Sequence, residues 1–193
     1  VEITDIIRAT KSIYNNIINT FLISDLPYKT YETKSQALEN AKKLIDCGAD
    51  AVKLEGGVEK EEIIKFLVEN NINVMGHIGI KPQYITKFEQ YKTLGKNNSE
   101  YLAIMADAIS VEKSGAFALV LELVQSELSN EITKKLKIPT IGIGSGEYTD
   151  GQVQVFNDLI GYSPFKLPKH AKKYSDVFKI ATESINNFIK DVN

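Results

Sequence analysis

From Thr4 onward an amphipathic pattern places Ile6, Thr10, Ile13 and Ile17 on one helical face, and it stops before the apolar run Thr20-Phe21-Leu22-Ile23, which reads as a buried strand. Thr33 and Gln36 stand at capping-box spacing. Behind them Ala37, Leu38, Ala41, Leu44 and Ile45 form an apolar stripe that Gly48 ends, so a second helix is predicted there. The strand Ala51-Val52-Lys53-Leu54 follows at once. The alternation continues with a helix near 59–69, a strand over 73–76, and a helix near 99–113 carrying Leu102, Met105, Ala106 and Ile109 on one face. Ala118-Leu119-Val120-Leu121 reads as a strand, Leu128, Ile132 and Leu136 mark a helix, and strands are predicted over 139–143 and 152–156. Val177, Ile180, Ala181, Ile185, Phe188 and Ile189 mark the closing helix.

Strands alternating with helices of this length imply parallel pairing through crossovers, as in a (β/α) barrel or an open doubly wound sheet. Polar residues recur at the strands' C-terminal ends: Asp25, Glu55, His77, Glu122 and Gly144-Ser145-Gly146. That is the end at which barrels build active sites. A full eight-unit barrel takes about 250 residues, or roughly 31 per strand-helix unit. The 193 residues therefore suit about six units of a (β/α)8 TIM barrel, in one domain spanning 1–193, with two further units expected before Val1.

An internal echo aligns two of the acids. Gly48-Ala49-x-Ala51-x-x-Leu54-Glu55 matches Gly115-Ala116-x-Ala118-x-x-Leu121-Glu122. Because strand side chains alternate in direction, Val52 and Leu54 are expected to face the helices, with Lys53 and Glu55 pointing inward and Val120 and Glu122 disposed likewise.

Composition narrows the functional classes. With 23 basic and 25 acidic side chains the net charge is −2, and no long run of either sign tracks nucleic acid or a membrane surface. No apolar run approaches a membrane span and nothing at the start resembles a signal peptide. The single cysteine, Cys47, excludes an internal disulfide and a thiolate metal cluster and fits a reducing cytoplasm, where a cytoplasmic location is expected; its plain reading is a small helix residue.

Asp25, Glu55 and Glu122 would bring three carboxylates toward one cavity, where repulsion and desolvation disfavour them unless a cation relieves both. All-oxygen ligation suits Mg2+ or a similar hard ion, and strand-end salt bridges are the plain alternative. Lys53 either pairs with a substrate carboxylate or neutralises Glu55. His77 either meets a ligand or is a satisfied structural histidine. His170, in a basic segment, is expected at the surface, and Tyr and Phe residues by default in the core. Gly142-Ile143-Gly144-Ser145-Gly146 offers backbone amides to an anion, or merely a tight turn.

Five ordered stretches go further than spacing. Ser24-Asp25-Leu26-Pro27-Tyr28, Ala51-Val52-Lys53-Leu54-Glu55-Gly56-Gly57, Val74-Met75-Gly76-His77-Ile78-Gly79-Ile80-Lys81-Pro82-Gln83, Ala118-Leu119-Val120-Leu121-Glu122, and Pro139-Thr140-Ile141-Gly142-Ile143-Gly144-Ser145-Gly146 with Asp150-Gly151-Gln152-Val153 resemble the ketopantoate hydroxymethyltransferase family. The resemblance extends to Phe165-Lys166 and Lys172-Lys173-Tyr174. It implies a barrel of the phosphoenolpyruvate/pyruvate type and a homo-oligomer, a decamer in the family. It also implies the substrates 3-methyl-2-oxobutanoate and 5,10-methylenetetrahydrofolate, in pantothenate synthesis. By the same carry-over Asp25 looks like a magnesium ligand that also meets the substrate, Glu55 like a further metal carboxylate, Lys53 and His77 like substrate-binding residues, and Glu122 like the general base.

Three departures stand out. The family's earlier Gly-Asp-Ser strand end, with another metal ligand, is not found in this sequence. Leu123-Val124-Gln125 replaces the usual Cys-Val-Pro, and Glu89-Gln90-Tyr91-Lys92 the usual Gly-Gly-Tyr-Lys. Two readings compete with the family's own reaction: another metal-dependent, enolate-forming lyase or aldolase of the same barrel type, and a non-catalytic, degenerate subunit.

Overall fold

The structure is a computed structural model that describes residues 1–87, 90–165 and 167–192. Glu89 of the altered Gly-Gly-Tyr-Lys stretch and Lys166 of the closing segment lie outside the described residues. Contacts group the chain into two units, Val1–Gly151 and Gln152–Asn193.

In the first unit, α1 (Ile3–Tyr14), β1 (Ile23–Asp25), α2 (Lys34–Ile45), β2 (Ala51–Glu55), α3 (Glu61–Glu69), β3 (Val74–Gly79), α4 (Asn98–Lys113), β4 (Ala118–Glu122), α5 (Ser126–Lys135) and β5 (Thr140–Ile143) alternate as the periodicity predicts. Single 3-10 turns, Val58–Lys60 and Pro82–Tyr84, follow β2 and β3. The two-residue β6 (Gly151–Gln152) comes last in a sheet ordered β1-β2-β3-β4-β5-β6, and β1 to β5 pair in parallel. Strand order equals chain order. A doubly wound sheet would reverse at a switch point, so this order is that of a barrel wall.

Local chemistry sets the boundaries. Thr33 Oγ1 accepts the Gln36 N–H at 3.2 Å, which caps α2, but the Gln36 side chain accepts from Glu32 N–H at 3.0 Å instead of closing the box on Thr33. Gly48 and Gly115, the matched glycines of the echo, both adopt left-handed backbone, with φ of 102° and 92°, as a tight turn from helix to strand requires.

The sheet has two differently filled faces. On the outer face Val52, Leu54, Leu119 and Leu121 pack with Ala41, Leu44, Ile64, Leu67, Val111 and Ile132 from the helices. Each such side chain, fully buried, contributes about 1.5–3 kcal/mol. Helix α4 comes so close that a Cβ on Gly76 would meet Val111 Cγ1 at 2.4 Å. On the inner face Met75, Ala118 and Val120 form a smaller cluster with Ile23, Ile141 and Ile143.

Several boundaries and burials differ from expectation. β1 begins at Ile23 rather than Thr20, because pairing with β2 starts at Ile23↔Ala51; Leu22 instead exchanges hydrogen bonds with Asp50, its N–H donating to the Asp50 carboxylate at 2.7 Å. The Ile13 position of the α1 stripe is 48% exposed. The aromatic residues do not make the core: Tyr31 is the only buried one among the described residues, and the rest of the core is aliphatic.

The second unit holds α6 (Phe156–Ile160) and α7 (Val177–Val192). The strand predicted over 152–156 is cut short: the Val155 carbonyl accepts from the Asp158 and Leu159 N–H groups at 3.1 and 3.0 Å, opening α6 where alternation had suggested strand. Residues of α7 stay unburied, and His170 is exposed as expected. No helix among the described residues is long and apolar enough to cross a membrane.

Candidate active site

Register builds the site in rows. Parallel pairing sets Asp25, Lys53, Met75 and Ala118 side by side, then Glu55, His77, Val120 and Ile141, then Gly79, Glu122 and Ile143. Adjacent strands lie about 4.8 Å apart and row neighbours point to the same face. Every candidate residue therefore projects from the inner face, and the apolar cluster of Met75, Ala118 and Val120 forms the floor beside them.

The side chains form a chain of contacts. Lys53 Nζ donates to Asp25 Oδ2 at 3.0 Å and stands 3.3 Å from His77 Nδ1; on the other side of the ring, Nε2 lies 3.1 Å from Glu122 Oε2. An ammonium only donates, so Nδ1 accepts and the ring proton sits on Nε2, facing Glu122. That contact is close but poorly aligned, and Nε2 is buried without a hydrogen-bond partner. Buried donors are rarely left so. The neutral ring makes the 3.9 Å approach of Nδ1 to Glu55 Oε1 a packing contact rather than an ion pair. Lys53 was expected to meet a substrate carboxylate or Glu55; the carboxylate it meets is instead that of Asp25, its neighbour in register.

Glu55 is almost wholly enclosed, its side chain 3% exposed. Burial pushes its carboxyl above the usual carboxylate range, against the pull of the Gln83 N–H and the Lys53 charge, while Asp25 adds to the rise. Its oxygen Oε2 accepts the Gln83 N–H at 3.1 Å. The same Gln83 donates through Nε2 to the Leu26 carbonyl at 3.0 Å and accepts from the Tyr31 hydroxyl at 3.0 Å. One residue, through its backbone and its side chain, thus ties the loops leaving β1 and β3 to the acid at the end of β2. Burial pushes the Tyr31 hydroxyl far above its ordinary range.

Neither Gln83 nor Tyr31 was singled out by the sequence as a site residue. Gln83 lay inside the quoted run Ile80-Lys81-Pro82-Gln83, and that was its only signal. Tyr91 is another addition. Burial, and then the charges of Glu122 and Glu55, push its hydroxyl up. Its loop is fastened to the end of β4 where Leu94 N–H donates to the Leu123 carbonyl and Gln125 N–H to the Leu94 carbonyl, both at 2.8 Å. A proline at the position of Gln125 could not make the second bond, so this departure from the family pattern adds a tie.

The glycine-rich turn after β5 is used inward. Ser145 Oγ donates to the Leu121 carbonyl at 2.7 Å and accepts the Val124 N–H at 3.0 Å, which favours the tight-turn reading over an anion grip. A cleft of about 560 Å³ lined by Tyr14, Ile18, Phe21 and Asp50 opens near the N-terminal ends of β1 and β2 and includes none of the candidate residues.

Among the described residues no three His, Cys, Asp or Glu side chains converge as a group that could hold a metal. The donor chemistry nonetheless suits a hard cation in part. Asp25 is half-exposed at 45%, and Glu55 is a second, buried carboxylate whose ionised form is disfavoured. The Lys53 ammonium supplies the positive charge beside Asp25.

A family model described as ketopantoate hydroxymethyltransferase matches residues 1–193. A 3-methyl-2-oxobutanoate hydroxymethyltransferase of Thermotoga sp. (strain RQ2) is 45% identical over 177 residues, covering 90% of this chain and 65% of that protein. One from Chloroflexus aurantiacus (strain ATCC 29366 / DSM 635 / J-10-fl) is 43% identical over 194 residues, covering 100% of this chain and 68% of that protein. The chain thus spans about two thirds of the length of these relatives. Among solved structures it is similar to 2,3-dimethylmalate lyase, a PEP mutase/isocitrate lyase superfamily member, with a TM-score of 0.53 and 15% identity over 73% of this chain and 51% of that one. Phosphonopyruvate hydrolase matches with a TM-score of 0.57 and 11% identity over 100% of this chain and 66% of that one. At such identities the likeness concerns the fold alone, that of a (β/α) barrel.

Proposed function

Because the chain belongs to the ketopantoate hydroxymethyltransferase family, we propose that it carries most of the site that transfers a hydroxymethyl group to 3-methyl-2-oxobutanoate. The one-carbon donor is 5,10-methylenetetrahydrofolate, one water is consumed, and the products are 2-dehydropantoate and tetrahydrofolate. The relay Asp25–Lys53–His77–Glu122 is the observation that carries the reading, since it lines up a cation, an unpartnered donor and a carboxylate on one face.

Each residue has a task that follows from its contacts. Lys53 spends two of its three N–H donors on Asp25 and His77, and the third is left for the carboxylate of the 2-oxo acid. His77 Nε2–H, which lacks a partner, donates to the keto oxygen as negative charge gathers there. Glu122, with its side chain 13% exposed, takes the proton from C3. The carbon so activated forms its bond to the folate-borne methylene carbon, both of whose bonds to nitrogen break; the water consumed supplies the hydroxyl, and its other proton together with the one taken from C3 goes to the two folate nitrogens. Asp25 and Glu55 would hold Mg2+ or a similar hard cation, which when bound draws charge from the keto oxygen. The apolar floor of Met75, Ala118 and Val120 accommodates the isopropyl end of the substrate and excludes water from it.

The same reading makes the protein a cytoplasmic homo-oligomer working in pantothenate synthesis. The test is to incubate the whole protein with Mg2+ and 3-methyl-2-oxobutanoate in D2O, then add 5,10-methylenetetrahydrofolate. Loss of the C3 hydrogen signal followed by tetrahydrofolate formation is expected. Exchange without tetrahydrofolate would turn the assignment toward an enolate-forming lyase or aldolase, and no exchange at all toward a non-catalytic subunit.

A further inference from the structure

Two exposed aromatic rings sit at the end of the sheet that carries the acids. Tyr28, on the loop leaving β1, and Tyr84, on the loop leaving β3, meet edge to face with centroids 4.8 Å apart and planes at 80°. They remain 45% and 40% exposed in a protein whose core is otherwise aliphatic. Each carries a cation: Lys29 Nζ lies 5.4 Å from the Tyr28 centroid and Lys81 Nζ 5.7 Å from that of Tyr84. Lys81 is already bonded to Glu59 at 2.7 Å, whereas Lys29 makes no ion pair among the described residues.

Placement links this pair to the chemistry. Tyr28 follows Asp25 by three residues, at most roughly 10 Å of extended chain. Tyr84 directly follows Gln83, whose N–H is 3.1 Å from the Glu55 carboxylate. The two loops flank the end of β2 between them. A half-exposed ring beside a reacting centre offers surface on which a flat heteroaromatic can stack, and a lysine without an ion pair next to it attracts an anionic tail.

The geometry points to the Tyr28–Tyr84 pair, with Lys29, as the subsite for the one-carbon donor: a reduced pterin whose flat ring stacks on the tyrosines and whose glutamate carboxylate meets Lys29. This inference rests on the function proposed above, to which it adds the donor's place. The ring packs over loops already pinned by Gln83 and Tyr31, so the platform is rigid before the ligand arrives, and little ordering is needed on binding.

The experiment is calorimetric titration of the whole protein with 5-formyltetrahydrofolate, a folate that cannot donate its carbon here, for wild type, Tyr28→Leu, Tyr84→Leu, Tyr84→Phe and Lys29→Ala. Loss of a stacking ring weakens binding by roughly tenfold or more in each Leu variant, Tyr84→Phe keeps the affinity, and Lys29→Ala gives a smaller loss that added salt abolishes. Leu variants that bind folate as tightly as wild type, while melting at a lower temperature, would make the pair a loop staple and overturn the proposal. Wild type that exchanges the C3 hydrogen of the oxo acid yet binds no folate overturns the subsite and leaves the oxo-acid site standing. Wild type that binds folate through these tyrosines but exchanges nothing sinks the functional reading and supports the subsite.

Discussion

The ends of β2 and β4 grow from nearly the same words, Ala-x-x-Leu-Glu after a Gly-Ala turn, and they finish as different chemical places. At the end of β2, Glu55 is shut in, with the Gln83 N–H holding one oxygen, and the loop that follows is tied to α4 where Val58 N–H donates to Asp107 Oδ1 at 2.9 Å. At the end of β4, Leu123 takes a left-handed turn, with φ of 50°, and Glu122 is left facing His77 at 3.1 Å. Enclosure suits an acid that waits for a cation. An acid near the donor of a neutral imidazole suits proton transfer. The loop after each strand, rather than the strand itself, separates the two roles.

Replacing Glu122 tests that separation most severely. Glu122→Gln keeps the shape and removes the base, and deuterium exchange at C3 of 3-methyl-2-oxobutanoate is expected to slow by about 10²–10⁴-fold, read by proton NMR. Exchange at the wild-type rate would erase the distinction drawn between the two glutamates. Next in size, Lys53→Met takes the cation from between Asp25 and His77. On the order of a 10- to 100-fold rise in KM for the oxo acid is expected, with a smaller change in kcat, since a hydrogen bond to a charged group is lost. An effect confined to kcat would move Lys53 from holding the substrate to tuning the acids.

Gln83→Leu loosens only the enclosed end. It leaves the Leu26 carbonyl and the Tyr31 hydroxyl without the partners that Gln83 supplies and should lower unfolding stability by about 2 kcal/mol, measured by urea titration. An unchanged midpoint would mean that this lock contributes nothing. The smallest effect is a slope. Burial raises the Asp107 carboxyl above its ordinary 3.8, with Glu59 adding and the Val58 N–H and Lys81 opposing. The folded protein therefore binds that proton more tightly than the unfolded chain, and stability declines as pH rises from 3.8 through the folded value. Asp107→Asn retains an acceptor for Val58 and should flatten this part of the pH-stability curve; a curve as steep as wild type would place the titration elsewhere.

Much of the wall of this barrel was legible in the residues. α2, β2, α4 and β4 follow from helical stripes, the capping residue Thr33, and glycines that stop one element before the next, all of them interactions within a few positions of each other. The inward direction of Lys53, Glu55 and Glu122 follows from alternation once β2 and β4 are known. The strand predicted over 152–156 failed for the same reason that the others succeeded: alternation marks a surface able to pair, and here the Val155 carbonyl serves a helix instead. The tyrosines failed too, since aromatic rings at sequence intervals carry no mark of whether a loop will turn them in or out.

By itself the sequence determined which residue types stand at the strand ends and on which side they point, because both depend on period and on near neighbours. Only the tertiary structure decided which of them meet. Lys53 sits against Asp25 rather than Glu55, His77 lies between Lys53 and Glu122, and Gln83 ties the loops leaving β1 and β3 to the end of β2 through partners as many as 57 residues away. Those meetings depend on the register of separate strands and on loops crossing between them, and a linear pattern holds no record of either.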